Sequence, residues 1–218
     1  MLVKTYGSAI LGINAITITV EVIIDQGIQF FMVGLPDNAV KERHQRIEAA
    51  LKYIGYKIPG KKIVINLAPA DIKKEGSAYD LTIAVGILAA AEIIRHEKIG
   101  DYIMMGELSL DGGLKPIRGA FPIAIEAREK NFKGIILPAQ NAKEASIVDN
   151  LEILGANHIR EVIEFFNGKD TLRRIKVNSR DTFYANLNNY EFDFSEVKGQ
   201  ENIKRALEIA AAGGHNVI

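Results

Sequence analysis

The sequence predicts an α+β protein in which a mixed β-sheet is layered with helices. Near the N-terminus, two segments rich in β-branched residues alternate polar and apolar side chains, as half-buried strands do. Short apolar segments then alternate with helix-like ones. One of these, the alanine-rich stretch within residues 73–92, is apolar on nearly all sides, which is typical of a helix inside a core.

Three strands are predicted before the first helix. Residues 2–12 and 15–25 are rich in Ile, Val and Thr, and a tight turn at residues 12–14 separates them. A third strand, residues 28–33, follows a turn at residues 25–27. Strands joined by such short turns predict an antiparallel meander.

The first helix is predicted to run from Asp37 or Asn38, either of which can act as its N-cap, to about Ile54. Its apolar face follows the helical period at Val40, Ile47, Ala50, Leu51 and Ile54. A short, wholly apolar strand is expected at residues 63–67.

The central helix begins after the turn Lys-Glu-Gly-Ser, with Ser77 as its predicted N-cap. Asp80 lies three residues further on, where a capping-box residue reaches back to the cap and where a negative charge suits the helix dipole. The apolar residues that follow predict a helix buried nearly all round.

Beyond this helix the pattern alternates again. Gly112 and Gly113 fit a hairpin turn between two strands better than a phosphate-binding loop. The predicted elements are strands at residues 103–107, 113–117, 135–138 and 151–154, and helices at residues 120–130 and 159–167.

Composition sets limits on function. Lys plus Arg equals Asp plus Glu, at 27 each, so any basic site must be a local patch. The chain has no cysteine, which excludes disulfides, thiolate catalysis and cysteine-ligated zinc. Its four histidines are far apart, so no metal site is expected. Without a signal peptide or membrane span in the sequence, a cytoplasmic location is expected.

The turn before the central helix, together with residues 106–119 (GELSLDGGLKPIRG), resembles the proteolytic domain of Lon. The resemblance implies a Lon-protease-like fold, related to a domain of a small-subunit ribosomal protein, and a Ser-Lys catalytic dyad. At the two dyad positions this chain has Ala78 and Phe121. No peptidase activity is therefore expected; a peptidase that depends on the adjacent Ser77 is the weaker alternative.

Residues 33–43 (VGLPDNAVKER) and 66–71 (NLAPAD) resemble the N-terminal domain of the magnesium-chelatase-like AAA+ ATPases, the ComM or YifB group. Residues 194–207 and 213–216 resemble the first helix of that family's motor module. The domains expected are a Lon-protease-like domain at 1–168, a linker at 169–192 and the start of an AAA+ module at 193–218.

The resemblance implies a hexameric motor that uses ATP and magnesium and acts on DNA in branch migration, recombination or natural transformation. This chain would then be its non-proteolytic accessory domain; the alternative is a domain that binds a protein client or supports assembly. Val197 and Gly199 would lie near the nucleotide. Because no GxxxxGK followed by Ser or Thr occurs, the chain is expected to stop before the Walker A loop and to lack enzymatic activity and cofactors alone.

Two basic segments are candidates for DNA binding. The first helix carries Lys41, Arg43 and Arg46, and the polar segment after residue 168 carries Arg173 and Arg174. Acidic residues interrupt the helical set, so a solvated face is the competing interpretation there. A solvated connector is the competing interpretation of the second set.

Overall fold

The computed structural model describes residues 1–33, 37–72, 74, 76–176 and 193–217, with the backbone alone for residues 37–41. The chain divides into two compact units, residues 1–177 and residues 178–218. The predicted boundary at residue 168 therefore falls inside the first unit, where the sheet continues as far as Arg174.

The first unit contains an eight-stranded mixed sheet, so the predicted fold class is confirmed. The strands are β1 Leu2–Leu11, β2 Asn14–Asp25, β3 Phe30–Val33, β4 Lys62–Ala68, β5 Tyr102–Met104, β6 Glu107–Leu108, β7 Leu114–Lys115, β8 Gly134–Pro138, β9 Glu152–Ala156 and β10 Arg173–Arg174. The order across the large sheet is β10-β9-β8-β5-β1-β2-β4-β3, and β6 with β7 forms a separate hairpin around the predicted glycine turn.

Five helices of the described residues lie in the connections between these strands, and a sixth belongs to the second unit. They are α1 Asp37–Tyr53, α2 Asp80–Ala90, α3 Ala120–Glu129, α4 Ala139–Ala145, α5 Ile159–Phe166 and, in the second unit, α6 Glu201–Gly213. Short 3-10 turns lie at Ile99–Asp101 and Phe194–Glu196. None of these helices is both long and apolar enough to cross a lipid bilayer.

The antiparallel hairpin of β1 and β2 is confirmed, but the predicted meander is wrong at its third strand. β3 does not pair with β2; it pairs with β4 in parallel, at the edge of the sheet. β4 lies between them and is antiparallel to β2. A parallel pair needs a long crossover connection, and α1 supplies it between β3 and β4.

Helix α1 ends one residue before the predicted end. Of its predicted apolar face, Ile47, Ala50, Leu51 and Ile54 are buried. The side chains of Asp37, Asn38 and Val40 lie outside the described residues, so the cap of this helix stays a prediction.

All eleven residues of α2 are buried, which confirms a core helix. Its predicted capping box is wrong. The N-cap residue is Tyr79, and no side chain caps the helix. Ser77 belongs to the preceding turn, where its carbonyl accepts the Asp80 amide at 3.0 Å. The Asp80 carboxylate is drawn away from the backbone of the turn by two arginines of α1.

In the other half of the sheet, β5, β8 and β9 run parallel to one another. The predicted elements α3, β8, β9 and α5 are present within a few residues of their expected bounds. Two elements had not been predicted: α4, which is short and mostly polar, and β10, an arginine pair at the edge of the sheet.

Candidate functional site

A groove of about 1010 Å³ lies beside the start of α2. The end of β1 (residues 8–11), the turn before α2 (residues 76–79) and the segment after β7 (residues 116–118) form its walls, together with Met105 and Glu107. The turn that the Lon resemblance identifies as the active-site turn therefore lines a real depression in the surface.

The two positions that the Lon resemblance assigns to the catalytic dyad hold an alanine and a phenylalanine. Ala78 lines the groove, and its carbonyl accepts the Gly106 amide at 2.8 Å. Phe121 lies in the first turn of α3, where it is 39% exposed and its amide donates to the Glu144 carboxylate at 3.1 Å. A methyl group and a phenyl ring can neither attack a carbonyl nor accept a proton.

Ser77 is next to Ala78 in sequence and also lines the groove. It donates a hydrogen bond to the Glu107 carboxylate, across from it in the groove. Within the described part of the chain, no histidine or lysine nitrogen bonds to the Ser77 hydroxyl. Among these residues, none supplies the nitrogen base that activates serine in the known Ser-His and Ser-Lys sites.

A buried charged cluster, formed by Arg43, Arg46 and Asp80, holds the turn in place. Asp80 is completely buried, with Arg46 Nε 2.6 Å from one carboxylate oxygen and Arg43 Nε 3.6 Å from the other. Arg43 also donates to the carbonyl of Gly76 in the groove wall. The cluster thus connects α1, α2 and the groove.

Burial raises the pKa of the Asp80 carboxyl, and the two arginines oppose that rise. The same carboxylate raises the pKa of Arg46, whereas burial lowers the pKa of Arg43. Arg43 also lies over the ring of Tyr79, at 5.7 Å from its centroid. Its Nε and Nη1 have no hydrogen-bond partner among the described residues.

These contacts correct the DNA-binding prediction for Arg43. Its side chain is 1% exposed, so it cannot reach a phosphate. Arg46 is 26% exposed and already paired with Asp80. The side chain of Lys41 lies outside the described residues.

Arg173 and Arg174 lie on the edge strand β10, and both are exposed. Arg174 forms an ion pair with Glu152 at 3.1 Å, and its side chain remains 64% exposed. Successive residues of a strand point to opposite faces, so the two guanidinium groups do not share one face of the sheet. DNA binding by this pair stays a prediction.

Sequence reasoning did not identify Lys74 as a buried residue. This lysine is 1% exposed and donates to the carbonyls of Pro69 and Ile72, the latter at 2.9 Å. Burial lowers its pKa. For Arg43 a signal existed: it lies four residues before Ile47, on the apolar stripe of α1, where a charge requires a buried partner.

In the second unit, Val197 is 44% exposed and Gly199 has a positive φ of 70°. None of the described residues of this unit is buried. They form no enclosed nucleotide pocket.

Comparison with protein families gives two matches. Residues 20–141 match the family described as subunit ChlI of Mg-chelatase, and residues 193–218 match a second model of the magnesium chelatase ChlI subunit. The first match covers more than half of the 218 residues.

Among curated proteins, the chain is 44% identical over 211 residues to the uncharacterized protein YifB of Escherichia coli, covering 96% of this chain and 40% of that protein. It is 37% identical over 214 residues to the competence protein ComM of Haemophilus influenzae, covering 98% of this chain and 42% of ComM. Lon protease 2 of Bacillus subtilis is 29% identical over 121 residues, 55% of this chain and 21% of that protease. The chain thus spans about two fifths of the length of YifB and ComM.

Proposed function

Because the chain belongs to the family of subunit ChlI of Mg-chelatase, in the group that includes YifB and ComM, we propose that its first unit is a non-proteolytic accessory domain of an AAA+ ATPase. The observation that carries this proposal is the groove. The turn that the Lon resemblance assigns to the active site lines this groove, and Ala78 stands where the resemblance implies the nucleophile.

The proposal for the whole protein follows the family. The complete protein binds ATP and magnesium, assembles as a hexamer and acts on branched DNA in the cytoplasm, during recombination or natural transformation. The name of the relative ComM, a competence protein, supports a role in natural transformation. Arg173 and Arg174 are the exposed basic residues of the first unit to which we assign DNA contact.

A gel-shift experiment tests DNA binding by this chain. The 218-residue chain is titrated against a four-way DNA junction and against single-stranded DNA at several salt concentrations. If both arginines contact phosphates, Arg173→Ala with Arg174→Ala weakens binding and lowers the salt slope by about 2. The control is Arg205→Ala, which removes an exposed arginine paired with Glu208 at 2.9 Å. Equal binding by both variants and by wild type rules out the assignment.

A peptidase assay tests the loss of catalysis. The chain is incubated with unfolded casein and with short fluorogenic peptides, and no cleavage is expected. Cleavage that disappears in Ser77→Ala would overturn the proposal, because it would mean that Ser77 and Glu107 act as a catalytic pair.

A second candidate function is that of a domain that binds a protein client or supports assembly. The open groove favours it, because a groove of this volume persists where the dyad is absent. Binding a polypeptide requires the groove but not the catalytic dyad, so this function accounts for both the open groove and the missing dyad.

A further inference from the structure

Strand β1 has an unpaired stretch on the side away from β2. β1 pairs with β2 along all ten of its residues, from Leu2 to Leu11. On its other side it pairs with β5 at a single position, Tyr6 with Ile103. Residues 8–11 therefore have no partner strand on this side among the described residues, and the same four residues line the groove.

The hydrogen bonds show which backbone groups face this gap. The amides of the opposed residues Ser8 and Thr17 both bond outside the pair, to Met105 Sδ at 3.2 Å and to Glu126 at 3.1 Å. In an antiparallel ladder such pairs alternate with hydrogen-bonded ones, so Ile10 has the same orientation as Ser8. The amide and carbonyl of Ile10 therefore point away from β2, on the open side of β1, and Ile10 is one of the residues that line the groove.

The gap exists because β5 ends at Met104 and the next groups of the chain bond to other elements. The carbonyl of Met104, which would continue the ladder, accepts the hydroxyl of Thr82 instead. The amide of Met105 donates to the carbonyl of Ile136 at 3.1 Å. A thioether sulfur, which is a weak acceptor, is left opposite the Ser8 amide.

The charges of the groove do not suit a nucleic acid. Among the described residues, the charged ones that line it are Asp71, Glu107 and Arg118, two carboxylates and one cation. A phosphate backbone needs an excess of cations. The β1 wall is instead apolar, with Ile10 and Leu11 exposed by 42% and 61%.

We propose that an extended segment of a partner polypeptide binds this groove by adding a strand to β1 at residues 8–11. A polypeptide backbone presents the donors and acceptors that complement an open strand edge, with a repeat of about 6.8 Å for every two residues. The apolar wall accepts alternate side chains of that segment. This inference deepens the second candidate function and does not depend on DNA binding.

Proline substitution tests the backbone contact directly. Ile10→Pro removes the amide that faces the groove and leaves the ladder to β2 intact, because that amide does not take part in it. Leu2→Pro is the matched control: it makes the same change on the same side of β1, at the far end, outside the groove. The probe is fluorescein-labelled, dephosphorylated β-casein, an unfolded polypeptide, and its fluorescence anisotropy is measured with the 218-residue chain.

Wild type and Leu2→Pro should bind casein equally, and Ile10→Pro should bind at least about tenfold more weakly, as expected for lost main-chain hydrogen bonds. Hydrogen exchange on the wild-type chain gives a second measurement that needs no folded variant: saturating casein should slow exchange of the Ile10 amide. No casein binding, unchanged exchange at Ile10, or wild-type affinity in a folded Ile10→Pro would overturn the proposal.

Two further arms identify other occupants. Sedimentation velocity of the chain alone would show self-association that Ile10→Pro abolishes if the occupant is a second copy, and that result would overturn the proposal. Displacement of casein by single-stranded DNA would do the same. If the wild-type chain binds casein but no DNA, that result counts against the proposed DNA contact and leaves the strand-addition proposal standing.

Discussion

Helices α2 and α6 are both rich in alanine and of similar length, 11 and 13 residues, yet their environments are opposite. Every residue of α2 is buried, whereas no described residue of α6 is. Each helix has an acid in its first turn, Asp80 in α2 and Glu201 in α6. Comparing the two helices therefore separates the effect of composition, which favours helix formation, from the effect of packing, which determines burial.

The difference lies in how the apolar residues are distributed. α2 is apolar on all sides and packs against β1 and β2, and it is connected to α1 through the buried charges. In α6, a stripe at Ile203, Ala206, Leu207 and Ala210 alternates with charged residues. Alanine content gives both sequences their helix propensity, but only complete apolar coverage predicts complete burial.

The largest contrast is expected at the two first-turn acids. Asp80→Asn leaves the buried guanidinium of Arg43 without a countercharge and should lower the free energy of unfolding by about 3–5 kcal/mol. Glu201→Gln, at a side chain that is 81% exposed, should change it by less than about 0.5 kcal/mol. Urea unfolding followed by circular dichroism measures both. Equal effects would show that the charge of Asp80 is not needed by the core.

A leucine in each helix gives the next contrast. Leu88→Ala removes a side chain that is 1% exposed and should cost about 3 kcal/mol through lost burial and the cavity left behind. Leu207→Ala, at a half-buried position of α6, should cost less than about 1 kcal/mol. Thermal melting of the two variants compares them. A large loss from Leu207→Ala would mean that α6 is packed in solution.

Replacing a glycine by alanine in each helix should change the stability less, and in opposite directions in the two helices. A Cβ at Gly86 would lie 2.8 Å from Val22 Cγ2 in the core, so Gly86→Ala should destabilise by about 1–2 kcal/mol despite better helix propensity. At Gly213 the nearest atoms belong to the exposed ring of His215, which can move aside. Gly213→Ala should therefore be neutral or stabilising, by up to about 1 kcal/mol. Stabilisation by Gly86→Ala in the same melting experiment would contradict the close packing of α2 on β2.

The starts of the helices should show the smallest effects, since neither has a side-chain cap. Ser77→Ala removes a part-buried hydrogen bond to Glu107 and should cost less than about 1 kcal/mol. Gln200 has a φ of 62°, so Gln200→Gly should strengthen the start of α6 by up to about 1 kcal/mol. Hydrogen exchange in the first turn of each helix reports on both. Loss of protection at the start of α2 in Ser77→Ala would restore Ser77 as a cap.

Much of the first unit could be predicted because its elements are determined locally. The alternation in β1 and β2 and the helical period of α1 depend on neighbouring residues alone. The partner of β3 could not be found in this way, since the insertion of β4 between β2 and β3 joins segments that are distant in sequence. The short elements α4 and β10 carry too few residues to show a period.

The groove was predicted in part. Resemblance to Lon identified the turn and the alanine at position 78, and the structure places that alanine in the groove wall. Asp80 was misassigned because a capping box and a long-range ion pair both fit an acid at that position. Choosing between them required knowing that Arg43 and Arg46 face α2. The open edge of β1 depends on where β5 ends, which no local pattern reports.

The charged cluster also restricts how this protein can change over generations. Replacing Asp80 alone leaves the buried guanidinium of Arg43 without a countercharge. Replacing Arg43 alone leaves the carbonyl of Gly76 without its hydrogen-bond donor. An apolar set could fill the same space, but every single-step route to it passes through a destabilised intermediate. Selection for folding alone is therefore enough to preserve the shape of the turn, whatever the groove binds.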